Sequence, residues 1–194
     1  MTTYGFNFRA TSGFVTDGAS ETYSLGAAYP ETRNGITFGW DSDRSANSRD
    51  RSTANTNLAG IVFYPNGSAG PFPKFRIDLP STGSWDIRAA FGDATSAQTQ
   101  YMRLMDNATT FATYTNVATN SNEFVDATGV VRTAAAWPGS NAVLTRSFGS
   151  TTFYIEIGDP SSIGGNNSTI AFVSVTSVAA ANAPTMGQMI FALQ

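Results

Sequence analysis

Between Phe75 and Phe91 the chain alternates apolar and polar residues twice, on either side of a Pro80–Ser81–Thr82–Gly83 break. Phe75, Ile77 and Leu79 share one side, and Arg76 and Asp78 the other. After the break, Trp85, Ile87, Ala89 and Phe91 repeat the pattern against Asp86 and Arg88. Successive side chains of a strand point to opposite faces, so both segments read as strands with one buried side. Their closeness in sequence predicts a hairpin. A three-residue loop Pro80–Thr82 sets Arg76 across from Asp86, whereas a longer loop opposes Asp78 to Asp86. Like charges directly opposite each other are unfavourable, which selects the shorter loop.

Comparable short runs recur every 8–12 residues with turn residues between them, the pattern of an all-β antiparallel β-sandwich. The expected strands are Tyr4–Arg9, Phe14–Thr16, Ile36–Trp40, Leu58–Tyr64, Lys74–Leu79, Ser84–Phe91, Gln100–Met105, Thr110–Tyr114, Glu123–Ala127, Val130–Ala134, Ala142–Phe148, Thr152–Ile157 and Thr169–Val175. No stretch has helical periodicity. The 194 residues fit one domain, set at 1–178. Asp41–Asn57 is polar throughout and reads as a surface loop. Ala179–Gln194 is an uncharged tail carrying Met186, Met189, Ile190, Phe191 and Leu193, either a last strand or an arm for docking on a neighbouring subunit.

Composition removes several chemistries. Charged residues make up 13%, about half the ~25% of ordinary proteins, and Lys74 is the one lysine. A net charge of −3 with scattered arginines does not suit nucleic acid, which needs clustered cations. The chain contains no cysteine and no histidine, so disulfides, thiolate or imidazole metal sites and Ser-His-Asp chemistry are excluded. The first residues show neither a basic start nor a long apolar core, so no secretory signal is expected. No apolar run is long enough to form a membrane-spanning helix. Fourteen acidic residues are present, but no spacing singles out a glycosidase pair, and no enzyme activity is expected.

Four motifs come in order. Gly5-Phe6-Asn7-Phe8 opens the chain; Tyr29 precedes Gly39-Trp40 and Arg49-Asp50-Arg51; Phe75–Asp93 forms the alternating pair; Phe153–Asp159 and Ile170–Val175 close it. In this order they resemble the galactose-binding-like β-sandwich modules, related to malectin-like domains, that accompany bacterial polysaccharide-active enzymes and esterases. The resemblance runs over residues 4 to 176 and implies a jelly-roll sandwich with a lectin-like role and no catalysis. The family's usual Asp in the first strand is Asn7 here.

Two functions remain open from the sequence. The first is a structural or interaction protein on the surface of a virus particle, such as a phage capsid or tail. It would be oligomeric or assembly-bound, docking on protein subunits through Met186, Met189, Ile190, Phe191 and Leu193. Stand-alone size, a lysine-poor surface without an export signal, and the apolar tail motivate it. The alternative is an extracellular carbohydrate-binding module. A sugar needs an aromatic face for its C–H side and nearby Arg, carboxylate or amide groups for its hydroxyls. Trp40, Asp41, Arg49, Asp50 and Arg51 offer those types in one region, and Trp137, before Pro138-Gly139, is a second platform expected on a part-exposed turn. Trp85 is expected in the core. No cofactor is expected beyond a structural calcium, whose weak candidates are Asp41, Asp43 and Asp159, the last beside Asn166 and Asn167.

Overall fold

A computed structural model of the chain describes residues 1–8, 20–23, 28–51, 53, 55–64, 72–137, 143–158 and 168–179. The expected strand Phe14–Thr16, the calcium candidate Asp159 and the tail residues Met186, Met189, Ile190, Phe191 and Leu193 lie outside them. Of the 179–194 segment only Ala179 is described, and it is exposed.

The described strands are β1 (Thr3–Asn7), β2 (Ser20–Tyr23), β3 (Glu31–Arg33), β4 (Ile36–Trp40), β5 (Ser48–Asp50), β6 (Gly60–Tyr64), β7 (Lys74–Asp78) and β8 (Gly83–Asp93). They continue as β9 (Gln98–Asp106), β10 (Thr109–Thr119), β11 (Glu123–Asp126), β12 (Val131–Thr133), β13 (Leu144–Phe148), β14 (Thr152–Ile157), β15 (Ser168–Ile170) and β16 (Phe172–Ser177). The helical content among the described residues is two three-residue 3-10 turns. One sheet of seven strands runs β12-β11-β8-β16-β1-β2, with β13 also pairing with β8. A second of six runs β10-β9-β14-β7-β4-β3, and a third of three runs β15-β6-β5. Pairing is antiparallel except between β1 and β2. The fold is an all-β antiparallel sandwich, as the periodicity predicts. No described helix is long and apolar enough to cross a membrane.

The predicted hairpin is corrected. β7 and β8 do not pair. β7 lies between β14 and β4 in the six-stranded sheet, while β8 joins β11, β13 and β16 in the seven-stranded one. The Pro80–Gly83 link therefore carries the chain from one layer to the other. Alternation cannot separate the two arrangements, because strands facing each other across a core bury alternate residues just as paired strands do. The opposition of Arg76 to Asp86 or Asp78 to Asp86 that selected the loop length does not arise. The 41–57 segment, expected as loop, holds β5 and a 3-10 turn; β5 gains a ladder by pairing with β6 through Ser48↔Val62 and Asp50↔Gly60.

The interlayer core is aromatic and Phe75 is its hub. Its ring lies 5.6 Å from that of Phe6, 5.0 Å from Phe8, 5.9 Å from Phe38 and 5.3 Å from Trp40, in tilted or edge-on geometry. Phe6 and Phe8 come from the seven-stranded side, the other rings from the six-stranded side. Edge-to-face pairs add to the burial term. A second cluster of Leu58, Ile61, Ala90, Phe124, Trp137 and Phe172 covers part of the other face of the seven-stranded sheet. That is why Ala89–Asp93 of β8 is buried on both sides.

Asp126 fixes the β11–β12 hairpin. Its fully buried carboxylate accepts the Thr128 and Val130 N–H groups at 2.8 and 3.1 Å, the Thr128 hydroxyl at 2.6 Å and the Arg132 guanidinium. Burial alone would push its pKa up. The bonds from Thr128, Arg132 and Val130 outweigh that and hold it below the ordinary carboxylate value.

Two stability measurements follow. Phe75→Ala is expected to lower the unfolding free energy by about 3–5 kcal/mol, the range for deleting a core phenylalanine, read from urea midpoints at constant m-value. Asp126→Asn is expected to cost about 1–3 kcal/mol at neutral pH, discounted for the part-exposed Arg132. Because the folded pKa is depressed, that stabilisation is complete above the unfolded value of about 3.9 and is lost as pH falls through the folded one. The gap between wild type and variant should stay constant from pH 7 to about 5 and begin to narrow below about 4. A gap that does not narrow at all between about pH 5 and about pH 2 would overturn the assignment.

Candidate functional site

The alternation that sends Phe75 and Ile77 inward sends Lys74, Arg76 and Asp78 to the outer face of the six-stranded sheet. On the neighbouring β14, Phe153, Ile155 and Ile157 are buried in the core, and Tyr154 and Glu156 face outward beside the β7 cations. Strand register then sorts this face into rows. Tyr154 stands opposite Arg76 on β7 and Met105 on β9, Arg76 opposite Gly39 on β4, and Met105 opposite Thr110 on β10.

Gly39 brings no side chain to this row, and Tyr29 fills the space. A Cβ at position 39 would lie 2.5 Å from the Tyr29 nitrogen and 2.6 Å from its Cα, and Gly39 has φ +146°. Glycine is needed there both for the close approach and for the backbone conformation. The Tyr29 N–H donates to the Trp40 carbonyl at 2.7 Å, which ties the segment to β4. The outer row thus reads Tyr29, Arg76, Tyr154, Met105, Thr110.

Arg76 is pre-ordered within it. Its guanidinium carbon sits 4.3 Å from the centre of the Tyr29 ring and 6.0 Å from that of Tyr154. Its Nε donates to Asp78 Oδ1 at 2.7 Å, and the Tyr29 hydroxyl donates to Asp78 Oδ2 at 2.9 Å. The Tyr29 phenol is pushed above its ordinary pKa, first because its proton is held by Asp78. A guanidinium has five N–H donors, of which the Asp78 bond uses one.

Ionic rows flank the aromatic one. On one side Asp78 stands opposite Thr37 and Thr152. On the other, Lys74 stands opposite Glu156, and Glu156 opposite Arg103. Glu156 is only 2% exposed and takes the Lys74 ammonium at 3.6 Å and the Arg103 Nε at 2.6 Å. One carboxylate is thereby shared by two part-exposed cations. Beyond this row, Phe72 lies over Gly158, where a Cβ would meet its ring at 2.3 Å, and packs on Tyr101 at 6.1 Å. Tyr29, Asp41, Lys74, Arg76 and Tyr154 enclose a shallow depression of about 160 Å³.

Of the six sugar-binding candidates read from the sequence, Asp41 lines this depression and the others do not. Trp40 is fully buried, wedged between Phe8 and Phe75, and offers no face to solvent. Trp137, expected on a part-exposed turn, is 2% exposed; its indole N–H donates to the Ala89 carbonyl at 3.1 Å and its ring meets Phe172 edge-on. Arg49 is exposed but lies 5.0 Å over the Phe63 ring and donates to the Ala46 and Ser48 carbonyls. Asp50 is exposed on β5. Arg51 binds the fully buried Asp93 through Nε at 2.9 Å and Nη2 at 2.6 Å. Pairing of β5 with β6 draws these arginines away from Trp40 and Asp41. The calcium candidates are engaged otherwise: Asp41 with Arg44 at 3.1 Å, and Asp43 with the Ser45 N–H at 2.8 Å. Among the described residues no three Asp or Glu converge on a metal position.

Tyr29 was legible as a motif residue, but Tyr154 and Lys74 were not singled out. The signal for Tyr154 is its outward place in Phe153–Ile157, an aromatic where an exposed strand face ordinarily carries Thr, Lys or Glu.

No family model and no curated protein matches the chain. Solved structures do. The YxiM protein of Bacillus subtilis matches with a TM-score of 0.49 at 14% identity over 92% of this chain, which spans 40% of that protein's length. A family 35 carbohydrate-binding module from Clostridium thermocellum matches with 0.36 at 14% identity, over 74% of this chain and 93% of the module. The family 35 module of Paenibacillus barcinonensis gives 0.33 at 12% identity, over 75% and 94%. Two of the three are carbohydrate-binding modules. With every TM-score below 0.5, the chemistry of the site has to be read from this chain's own residues.

The two arginine pairs should behave differently. Arg51→Ala strands a buried carboxylate and is expected to cost about 3 kcal/mol of stability. Arg76→Ala breaks a part-exposed pair and is expected to cost under about 1 kcal/mol. Urea melts of the two variants in parallel decide the point; equal losses would mean that Arg76, too, is a structural brace.

Proposed function

We propose that this protein is a non-catalytic, extracellular carbohydrate-binding module that takes a glycan on the outer face of its six-stranded sheet. The observation that carries this reading is the Tyr29–Arg76–Tyr154 row anchored on Asp78. A sugar ring is amphipathic: its C–H face packs on aromatic or guanidinium planes, and its hydroxyls both donate and accept. The row supplies the planes, while the part-exposed Asp78 supplies an acceptor and Arg76, Lys74 and Arg103 supply donors. These side chains are already ordered by stacking and ion pairing, so little side-chain freedom is lost on binding. Binding rather than turnover fits the site, since its two main carboxylates are each engaged by cations.

The other sequence reading, a virus-particle component docking through the apolar tail, rests on 180–194, outside the described residues. No observation on the described part favours it.

The test is affinity electrophoresis and calorimetry against hydroxyethylcellulose, xylan, galactomannan and polygalacturonate. The native chain is expected to be retarded by at least one polymer. Arg76→Ala and Tyr154→Ala should each weaken that binding tenfold or more, about 1.4 kcal/mol. Arg88→Ala, on β8 of the other sheet, should leave it unchanged. Retention of full affinity in both site variants, or no retardation by any of the polymers, overturns the proposal.

A further inference from the structure

Resting on the glycan reading, we infer that the ligand lies across the strands and is an internal stretch of a polysaccharide several rings long, not a chain end. The direction follows from the rows. Perpendicular to the strands the path runs over Tyr29, Arg76 and Tyr154 as rings and guanidinium and then over Met105, which is 8% exposed, to the exposed Thr110. Its one ion pair, Arg76 with Asp78, reaches sideways to the edge of the row. Along the strands a ligand would have to pass over the Lys74–Glu156–Arg103 cluster, whose charged groups sit between Tyr154 and Phe72.

The length follows from strand spacing. Five positions from Gly39, under Tyr29, to Thr110 make four steps of about 4.8 Å, so the row is about 19 Å long. That exceeds one sugar ring several-fold.

Openness follows from what stands at the two ends. Recognition of a chain end requires polar groups walling in the terminal ring. Among the described residues the row runs out at Pro30 on one side and Thr110 on the other, and both are exposed. Polar groups line the sides instead: Thr37, Asp78 and Thr152 along one edge, and Lys74 and Arg103, paired with the buried Glu156, along the other. These edges lie four residues apart along a strand, about 13 Å, and face the two hydroxyl-bearing edges of a chain laid between them.

The experiment uses the intact native protein and a chain-length series matched to the polymer that binds. The series are cello-, xylo- and manno-oligosaccharides and oligogalacturonides of two to six units, followed by calorimetry. Affinity is expected to rise at least tenfold from the dimer to the pentamer and then level off. Capping both ends of the hexamer as methyl ethers should change its affinity by less than twofold. Equal affinity for dimer and hexamer, or loss of binding on capping, overturns the inference while the polymer's retardation and its loss in Arg76→Ala leave the glycan site standing. Absence of binding to every polymer and oligomer overturns both.

Discussion

The packing of Phe75 against four other aromatic rings is the contact on which both the fold and its outer surface depend. Two of those rings come from the opposite layer, so this one side chain joins the two sheets. It also sets the register of β7. With Phe75 and Ile77 committed inward, a one-residue slip would drive Lys74, Arg76 and Asp78 into an apolar core, at a cost of several kcal/mol for each unpaired charge. The outward row is therefore fixed by the inward one. What the surface presents is decided by hydrophobic burial on the other side of the same strand.

How far the sequence could be read follows from which interactions are local. Period-two burial is local, and the strands at Phe75, Trp85, Phe153 and Phe172 were legible from it. Partner choice is not local. The 75–91 segment looks the same whether its two strands share a sheet or face each other across the core, and the second arrangement is the one formed. The tryptophans illustrate the same limit. Trp40 follows glycine at a strand end, a context compatible with burial or exposure, and Trp137 precedes Pro-Gly, which suggests exposure. Each is covered by a distant element: Phe8 from the first strand's end over Trp40, and Phe172 of β16 against Trp137. The site was half visible. Tyr29, Asp41 and the outward Arg76 and Asp78 could be named, but their meeting with Tyr154 depends on β14 lying beside β7, across some eighty residues of chain.

Two groups of charges among the described residues contrast with each other. Asp93, Asp126 and Glu156 are buried to 2% exposure or less, and each is held by a cation from another strand or loop. These pairs lock connections: Arg51 ties the 41–57 segment to the end of β8, and Arg132 closes the β11–β12 hairpin. Removing one partner leaves a desolvated charge, so such residues are constrained by stability. Arg76 and Asp78 belong to the second group. Both are part-exposed, and exposed pairs contribute little to folding. Their order, from ring stacking and a shared tyrosine hydroxyl, exceeds what the fold requires of them.

Two glycines account for how rings from connecting segments come to lie on a sheet face where strand alternation itself places Tyr154. At Gly39 and at Gly158 the sheet omits a side chain, and a residue from a connecting segment, Tyr29 or Phe72, occupies the gap. Both glycines have positive φ, so replacing them is disfavoured by the backbone as well as by the ring above. A strand residue in the same place would stand roughly perpendicular to the sheet. A ring delivered from a loop instead lies over the backbone, where Tyr29 meets the guanidinium plane of Arg76 and reaches Asp78 with its hydroxyl. The sheet supplies rigidity and spacing, and the glycine gaps let loops supply planar surface. That division of labour is what turns the outside of a sandwich into a platform on which an amphipathic chain can lie.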